Sequence, residues 1–155
     1  MKKIFIFFFA LVLAFTAFYP ASAQTETEET DVETQSDDNQ LYYDSLNQCF
    51  ALLDLYKDDL DSFSSGKIST LTQKWKDTRN NLRWNSAVSC GYIMSIMEPE
   101  ELKDYKSELV YGAYYQLVAI ELYILSINKN NDPTLYSLYQ QMAEAAQNNY
   151  SIIPK

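Results

Sequence analysis

Residues 42–63 read Tyr-Tyr-Asp-Ser-Leu-Asn-Gln-Cys-Phe-Ala-Leu-Leu-Asp-Leu-Tyr-Lys-Asp-Asp-Leu-Asp-Ser-Phe. Within them Tyr42, Leu46, Cys49, Leu53, Tyr56, Leu60 and Phe63 recur at alternating steps of four and three. That period places all seven on one stripe of an α-helix, with the acids Asp54, Asp58, Asp59 and Asp61 outside it. Gly66 is placed to end the helix in a left-handed cap.

The same periodicity continues downstream. A second helix is expected from an N-cap at Ser69, burying Leu71, Trp75, Leu82, Cys90, Ile93 and Met97, with Asn80-Asn81 and Gly91 as weak points. A third opens at Pro99, with Glu100 and Glu101 favouring the helix dipole in its first turn, and runs to about Ile127. Asn128 to Asn131 is a loop. Asp132-Pro133 then gives an N-cap followed by proline at the first helical position, opening a fourth helix with Leu135, Leu138, Met142 and Ala145 on its buried stripe. No strand-like alternation and no internal repeat is found. Residues 41–155 therefore read as a single all-α domain, a four-helix up-down bundle.

Upstream, Lys2 and Lys3 precede an apolar run of 15 residues, Ile4 to Phe18, broken only by Thr16. Pro20 and the small residues Ala21-Ser22-Ala23 follow, as signal-peptidase cleavage requires. Residues 1–23 are expected to be a signal peptide, too short to span a bilayer as a helix. Cleavage leaves 132 of the 155 residues, secreted or periplasmic, and the signal looks bacterial. Residues 24–40 carry seven acids, no base and one aliphatic, Val32. Such a stretch buries too little to offset chain entropy, so a disordered acidic linker is expected.

Composition excludes several chemistries. The chain has no histidine, two cysteines and three glycines, which removes His-dependent triads and metal sites, iron–sulfur clusters and phosphate loops. Asn130-Asn131-Asp132 lacks the following glycine and distal glutamate of a calcium loop. No metal and no cofactor are expected. The formal net charge of −9 argues against nucleic-acid binding.

Six of the eight phenylalanines fall in the signal segment, whereas 12 of the 13 tyrosines lie beyond it. Buried tyrosine hydroxyls need partners, so the core should have wet edges or a Tyr-lined groove. The candidate binding residues are Tyr111, Tyr114, Tyr115 and Glu121, with Trp84 beside Lys76, Arg79 and Arg83. Glu121 sits in the most apolar stretch, Leu117 to Leu125, where a carboxylate is either paired, with Arg83 as one partner, or perturbed. Gln116, Glu121 and the tyrosines argue against a membrane span there. The basic face is most simply offset by the acids of the first helix. Asn149-Tyr150-Ser151 is a glycosylation sequon only in a eukaryotic host.

Cys49 and Cys90 make an even count in an oxidising compartment and read as a disulfide closing a loop of about 40 residues, worth roughly 4 kcal/mol. A hairpin turning at Gly66 would leave them seven residues out of register, ~10 Å along the axis and beyond disulfide reach. The alternatives are a broken second helix or an unbonded pair.

Cys90-Gly91-Tyr92-Ile93 after a helical Cys49 resembles the helical, disulfide-bearing immunity proteins that bacteria export against cell-wall-attacking effectors. The likeness covers those four residues and the architecture, and the further cysteines of that family are missing. It implies an exported inhibitor with one protein partner. The residues themselves point to a non-enzymatic binding protein for a protein or small apolar ligand. A structural envelope protein and a Glu121–Tyr acid–base enzyme with a closed pocket are the alternatives.

Overall fold

A computed structural model describes the backbone of residues 31–154 and the side chains of residues 37–154. The signal segment 1–23 and residues 24–30 lie outside the described residues. The described chain is all-helical, with no strand. Helix α1 is Asp31–Leu55, α2 Lys57–Ser64, α3 Gln73–Ser95, α4 Lys106–Asn128 and α5 Pro133–Ser151, with a 3-10 segment Glu100–Tyr105 leading into α4.

Several element ends follow the chemistry of single residues. Gly66 takes φ +73° and its N–H donates to the Phe63 carbonyl, closing α2. The Asp132 carboxylate accepts from Thr134 N and Leu135 N and Pro133 follows at the first position of α5. Asn130 and Asn131 adopt left-handed φ of 55° and 59° in the α4–α5 loop, a conformation asparagine tolerates.

The structure corrects other expectations. Helix α1 begins at Asp31, inside the stretch to Gln40 expected to be disordered. No glycine or proline interrupts Asp31–Gln40, and acids near a helix N-terminus are stabilised by its dipole. The first helical run breaks at Tyr56, and the buried stripe moves there from Leu53, only partly buried, to Leu52. Helix α3 starts after Thr72, whose hydroxyl accepts from Trp75 N, and runs unbroken through Asn80-Asn81. Leu71 and Met97 consequently fall outside it and are exposed. On α5 Leu138 is exposed, and Tyr139 and Ala146 take the inward positions.

The cysteines are bonded, with Cα atoms 5.0 Å apart. Phe63 packs on Trp75, Asn85 donates to the Tyr56 hydroxyl, and Cys49 meets Cys90. These pairs are centred on Ser69–Thr70 rather than Gly66. The connector Ser65 to Thr72 thus brings the two sulfurs level without any break in α3.

Two clusters form the core. One gathers Tyr42, Leu46, Phe50, Ile93, Leu109 and Ala113 around the disulfide; the other gathers Leu52, Leu60, Phe63, Trp75, Leu82 and Ile124. The buried Ser86, Ser89 and Ser126 donate their hydroxyls to Arg83, Asn85 and Tyr123 carbonyls on their own helices, so none is left unpaired. The expected wet edges are present. Tyr43 donates to Glu101 and Tyr150 to Asn47, both at exposed positions.

Gly112 of α4 is closely covered by α1 and α5, since a Cβ there would stand 2.9 Å from Phe50 Cζ and 3.2 Å from Asn149 Cβ. At Gly91 a Cβ would meet nothing within 4 Å. The two glycines therefore respond oppositely to the same change. In urea or thermal unfolding, Gly112→Ala is expected to cost about 1–3 kcal/mol through overpacking. Gly91→Ala is expected to gain about 0.5–1 kcal/mol through helix propensity.

Burial pushes the Tyr42, Tyr123 and Tyr139 hydroxyls up, Tyr139 to about 12. The folded state thus prefers the neutral phenol. Its stability contribution is complete below the unfolded value near 10 and is lost as pH rises from there through about 12. Unfolding free energy is expected to fall across that window, and less steeply in Tyr139→Phe; equal slopes in the two proteins would refute the assignment.

Candidate functional site

Helices α3 and α4 run antiparallel side by side, held by two polar contacts between them and a third from α4 to the segment that follows α3. Trp75 Nε1 donates to Asn128 Oδ1 at 2.8 Å. In the middle, Arg83 Nε and Nη2 donate to the two oxygens of Glu121 at 2.7 and 2.8 Å. At the far end Lys106 Nζ bonds Glu98 at 2.9 Å. Each step along α3 is matched by a step back along α4.

The Arg83–Glu121 pair accounts for the surroundings of the Glu121 carboxylate. Both carboxylate oxygens are occupied by one guanidinium in a bidentate fork, and the side chains retain 39% and 29% exposure. The carboxylate is therefore paired rather than isolated in apolar surroundings.

Of the other candidates, Trp84 is 71% exposed, Tyr111 57% and Tyr114 44%. Tyr115 is partly buried and joins the α4 rings, 5.8 Å edge-on to Tyr114 and 6.5 Å from Tyr111. The structure therefore brings the three tyrosines together as a surface cluster, not as the lining of a cleft. Trp84 neighbours Arg83 and so lies on the α3 side of the bridged pair. Val88, one turn after Trp84, is also exposed and extends the apolar stripe; it escaped the sequence reading because it was not on the inward face sought there.

The basic triad does not form a joint site. Arg83 turns to Glu121, while the Nε of Arg79 is buried without a protein partner. Of the facing acids, Asp59 pairs instead with Lys74 at 2.7 Å. Asn149 donates its side-chain amide to the Ala145 carbonyl within α5, which leaves the sequon nitrogen engaged in the helix.

A groove of about 310 Å³ lies at the other end of α3, lined by Tyr42, Ile93, Met94, Met97, Glu98 and Val110, among others. It touches none of the aromatic candidates or Glu121. The Glu98 side chain is only 8% exposed, and the hydrogen bond from Lys106 is the main influence holding its carboxyl below the usual range. Sequence reasoning missed this groove, because Glu98 and Lys106 are brought together by the 3-10 segment rather than by a helical repeat.

The helix Glu100–Asn128 is, among the described residues, long and apolar enough to cross a membrane, and half of its most apolar window is buried inside the protein. Leu109, Ala113, Ile120 and Ile124 use that apolarity in the core.

The ion pair is testable by a double-mutant cycle on Arg83→Met and Glu121→Gln. A coupling of about 1 kcal/mol or less is expected, as for a partly exposed bidentate pair, shrinking as salt is added. A coupling of several kcal/mol, or loss of helical structure in Glu121→Gln, would contradict this account.

No protein-family model matches the chain, and no curated protein and no solved structure matches it either.

Proposed function

We propose that this chain is an exported, non-enzymatic binding protein: an up-down four-helix bundle that offers the aromatic surface of α3 and α4 to a protein partner. The observation that carries the reading is the exposure of Trp84 on α3 and of Tyr111 and Tyr114 on α4. Tryptophan and tyrosine are the residue types enriched at energetically dominant interface positions. The disulfide between Cys49 and Cys90 supports an oxidising compartment, and hence the periplasm or the medium. The up-down order is supported by pairwise contacts that run antiparallel: Cys49 with Cys90, Arg83 with Glu121, and Tyr123 with Tyr139 next to Gly112 with Asn149.

Under this reading Glu121 frames the surface with Arg83 and performs no proton transfer. The disulfide-bearing helical architecture also favours a sharper form, an exported inhibitor or immunity protein, which requires one stoichiometric partner. Affinity capture of the tagged protein from its host's envelope and medium, read by mass spectrometry, tests both. One protein is expected at stoichiometric yield, falling at least about ten-fold with Trp84→Ala, Tyr111→Ala and Tyr114→Ala combined, the loss produced by removing a hot-spot cluster. An unchanged captured set would refute the aromatic surface as the binding site.

A further inference from the structure

The groove at the C-terminal end of α3 holds a charge in an apolar setting. Its walls include Tyr42, Ile93, Met94, Met97 and Val110, and its volume of about 310 Å³ lies at the small end of ligand sites. The Glu98 side chain is only 8% exposed there, whereas that of Lys106 is 61% exposed. Lys106 Nζ donates to both Glu98 oxygens, at 3.2 and 2.9 Å. The pair is therefore lopsided: the carboxylate is largely covered, and the ammonium reaches it from solvent on a flexible four-carbon stem. An ion pair with one partner in water holds weakly and opens at little cost. We propose that this groove binds a small apolar cation, a primary ammonium on an aryl or alkyl body, with the ligand's ammonium taking the place of Lys106 on Glu98.

The resident lysine defines the head group, since its two contacts show that an ammonium fits against both oxygens. Lys106 brings little beyond its charge. A ligand with an apolar body also covers the groove walls, and the surface so removed from water favours it over the lysine. Met94 and Met97 suit such a body, because the unbranched thioether side chain re-packs readily. Charge excludes the opposite head group. Between Glu98 and Glu108 the chain carries five acids, Glu98, Glu100, Glu101, Asp104 and Glu108, against two bases, Lys103 and Lys106. Lys103 is already paired with Glu100, so the rim is net negative, draws in a cation and repels a carboxylate. Tyr42 adds no charge of its own, since burial and then Glu98 push its hydroxyl up and keep it neutral. None of Trp84, Tyr111 and Tyr114 lines the groove, so this site is independent of the aromatic surface.

A protein-observed NMR titration with phenethylammonium chloride, on the protein purified as its host makes it, tests the site. A dissociation constant in the range of roughly 0.1–1 mM is expected for a ligand of this size. Phenethyl alcohol, which has the same body without the charge, should bind at least about ten-fold more weakly, and the matching anion hydrocinnamate should not bind. Glu98→Gln should weaken phenethylammonium at least about ten-fold. Lys106→Met removes the competing ammonium and should tighten it at least about three-fold. The opposite signs separate ligation from a structural role, since both substitutions would weaken binding if the pair merely held the groove in shape. Val110→Phe fills the groove without touching the pair and should abolish binding, which keeps the test decisive if Glu98→Gln does not fold. Absence of saturation, equal affinity for the alcohol, weaker binding in Lys106→Met, or binding indifferent to Glu98→Gln or Val110→Phe overturns the proposal.

Discussion

The disulfide between Cys49 and Cys90 is the constraint from which the arrangement of the first three helices follows. A disulfide tolerates only a narrow window of Cα separation, and here the value is 5.0 Å with both residues fully buried. That contact fixes the height of α1 relative to α3. It also decides where the turn between them is centred: Phe63 with Trp75 and Tyr56 with Asn85 fall into the register that Cys49 and Cys90 set. Only then do Leu46, Ile93 and Leu109 meet in one cluster around the sulfurs. With roughly 4 kcal/mol available from a loop of this length, the cross-link is comparable to a large share of a small domain's net stability.

The second organising feature is the use of tyrosine in place of phenylalanine. Phe50 stacks on Tyr150 at 4.3 Å, and Tyr123 stacks on Tyr139 at 4.4 Å. The rings fill the interior while several hydroxyls reach its margin, where Glu101, Asn47 and Asn85 receive or supply hydrogen bonds. A core of this kind grades into its surface. Tyr111 and Tyr114 are the outer members of the same population, left on the side of α4 that no other described helix covers.

What the sequence revealed and what it concealed divide along a physical line. Local chemistry was legible: the glycine that closes α2, the Asp132-Pro133 start of α5, the four-three stripe of Tyr42, Leu46 and Cys49, and the pairing of the cysteines. Helix boundaries, and the inward residue just before a break, were not. Tyr56 interrupts the first run, yet Leu60 and Phe63 beyond it are buried as the stripe predicts, while before it Leu52 rather than Leu53 faces inward. Likewise, beginning the second helix at Ser69 carried Leu71 into a helix that starts only after Thr72. In the acidic stretch, low hydrophobicity argues against a core but not against a helix, and α1 reaches back through Asp31–Gln40. At the candidate site, the pairing of Glu121 with Arg83 was legible as one of two outcomes. The outward position of Trp84 was also legible, beside the basic face, whereas that of Val88 was passed over because only the inward stripe was sought.

Helix α4 shows why that limit matters. It is apolar nearly all round, so hydrophobic burial alone specifies neither its rotation nor its height. A rotation or a one-turn slide exchanges one apolar residue for another at little cost. Polar contacts break that degeneracy. Sliding α4 one turn along α3 would set Arg83 opposite Leu117 or Leu125, separate Trp75 Nε1 from Asn128 and displace Gly112 from the Phe50 ring. Each loss strands a polar group or drives a Cβ into an aromatic edge, whereas the apolar contacts would merely be reassigned. The ion pair is thus too exposed to contribute much stability, and its consequence is positional. It holds α4 at the one height and rotation that buries Ile120 and Ile124 and leaves Tyr111 and Tyr114 outward, so the aromatic surface exists because a weak contact excludes its alternatives.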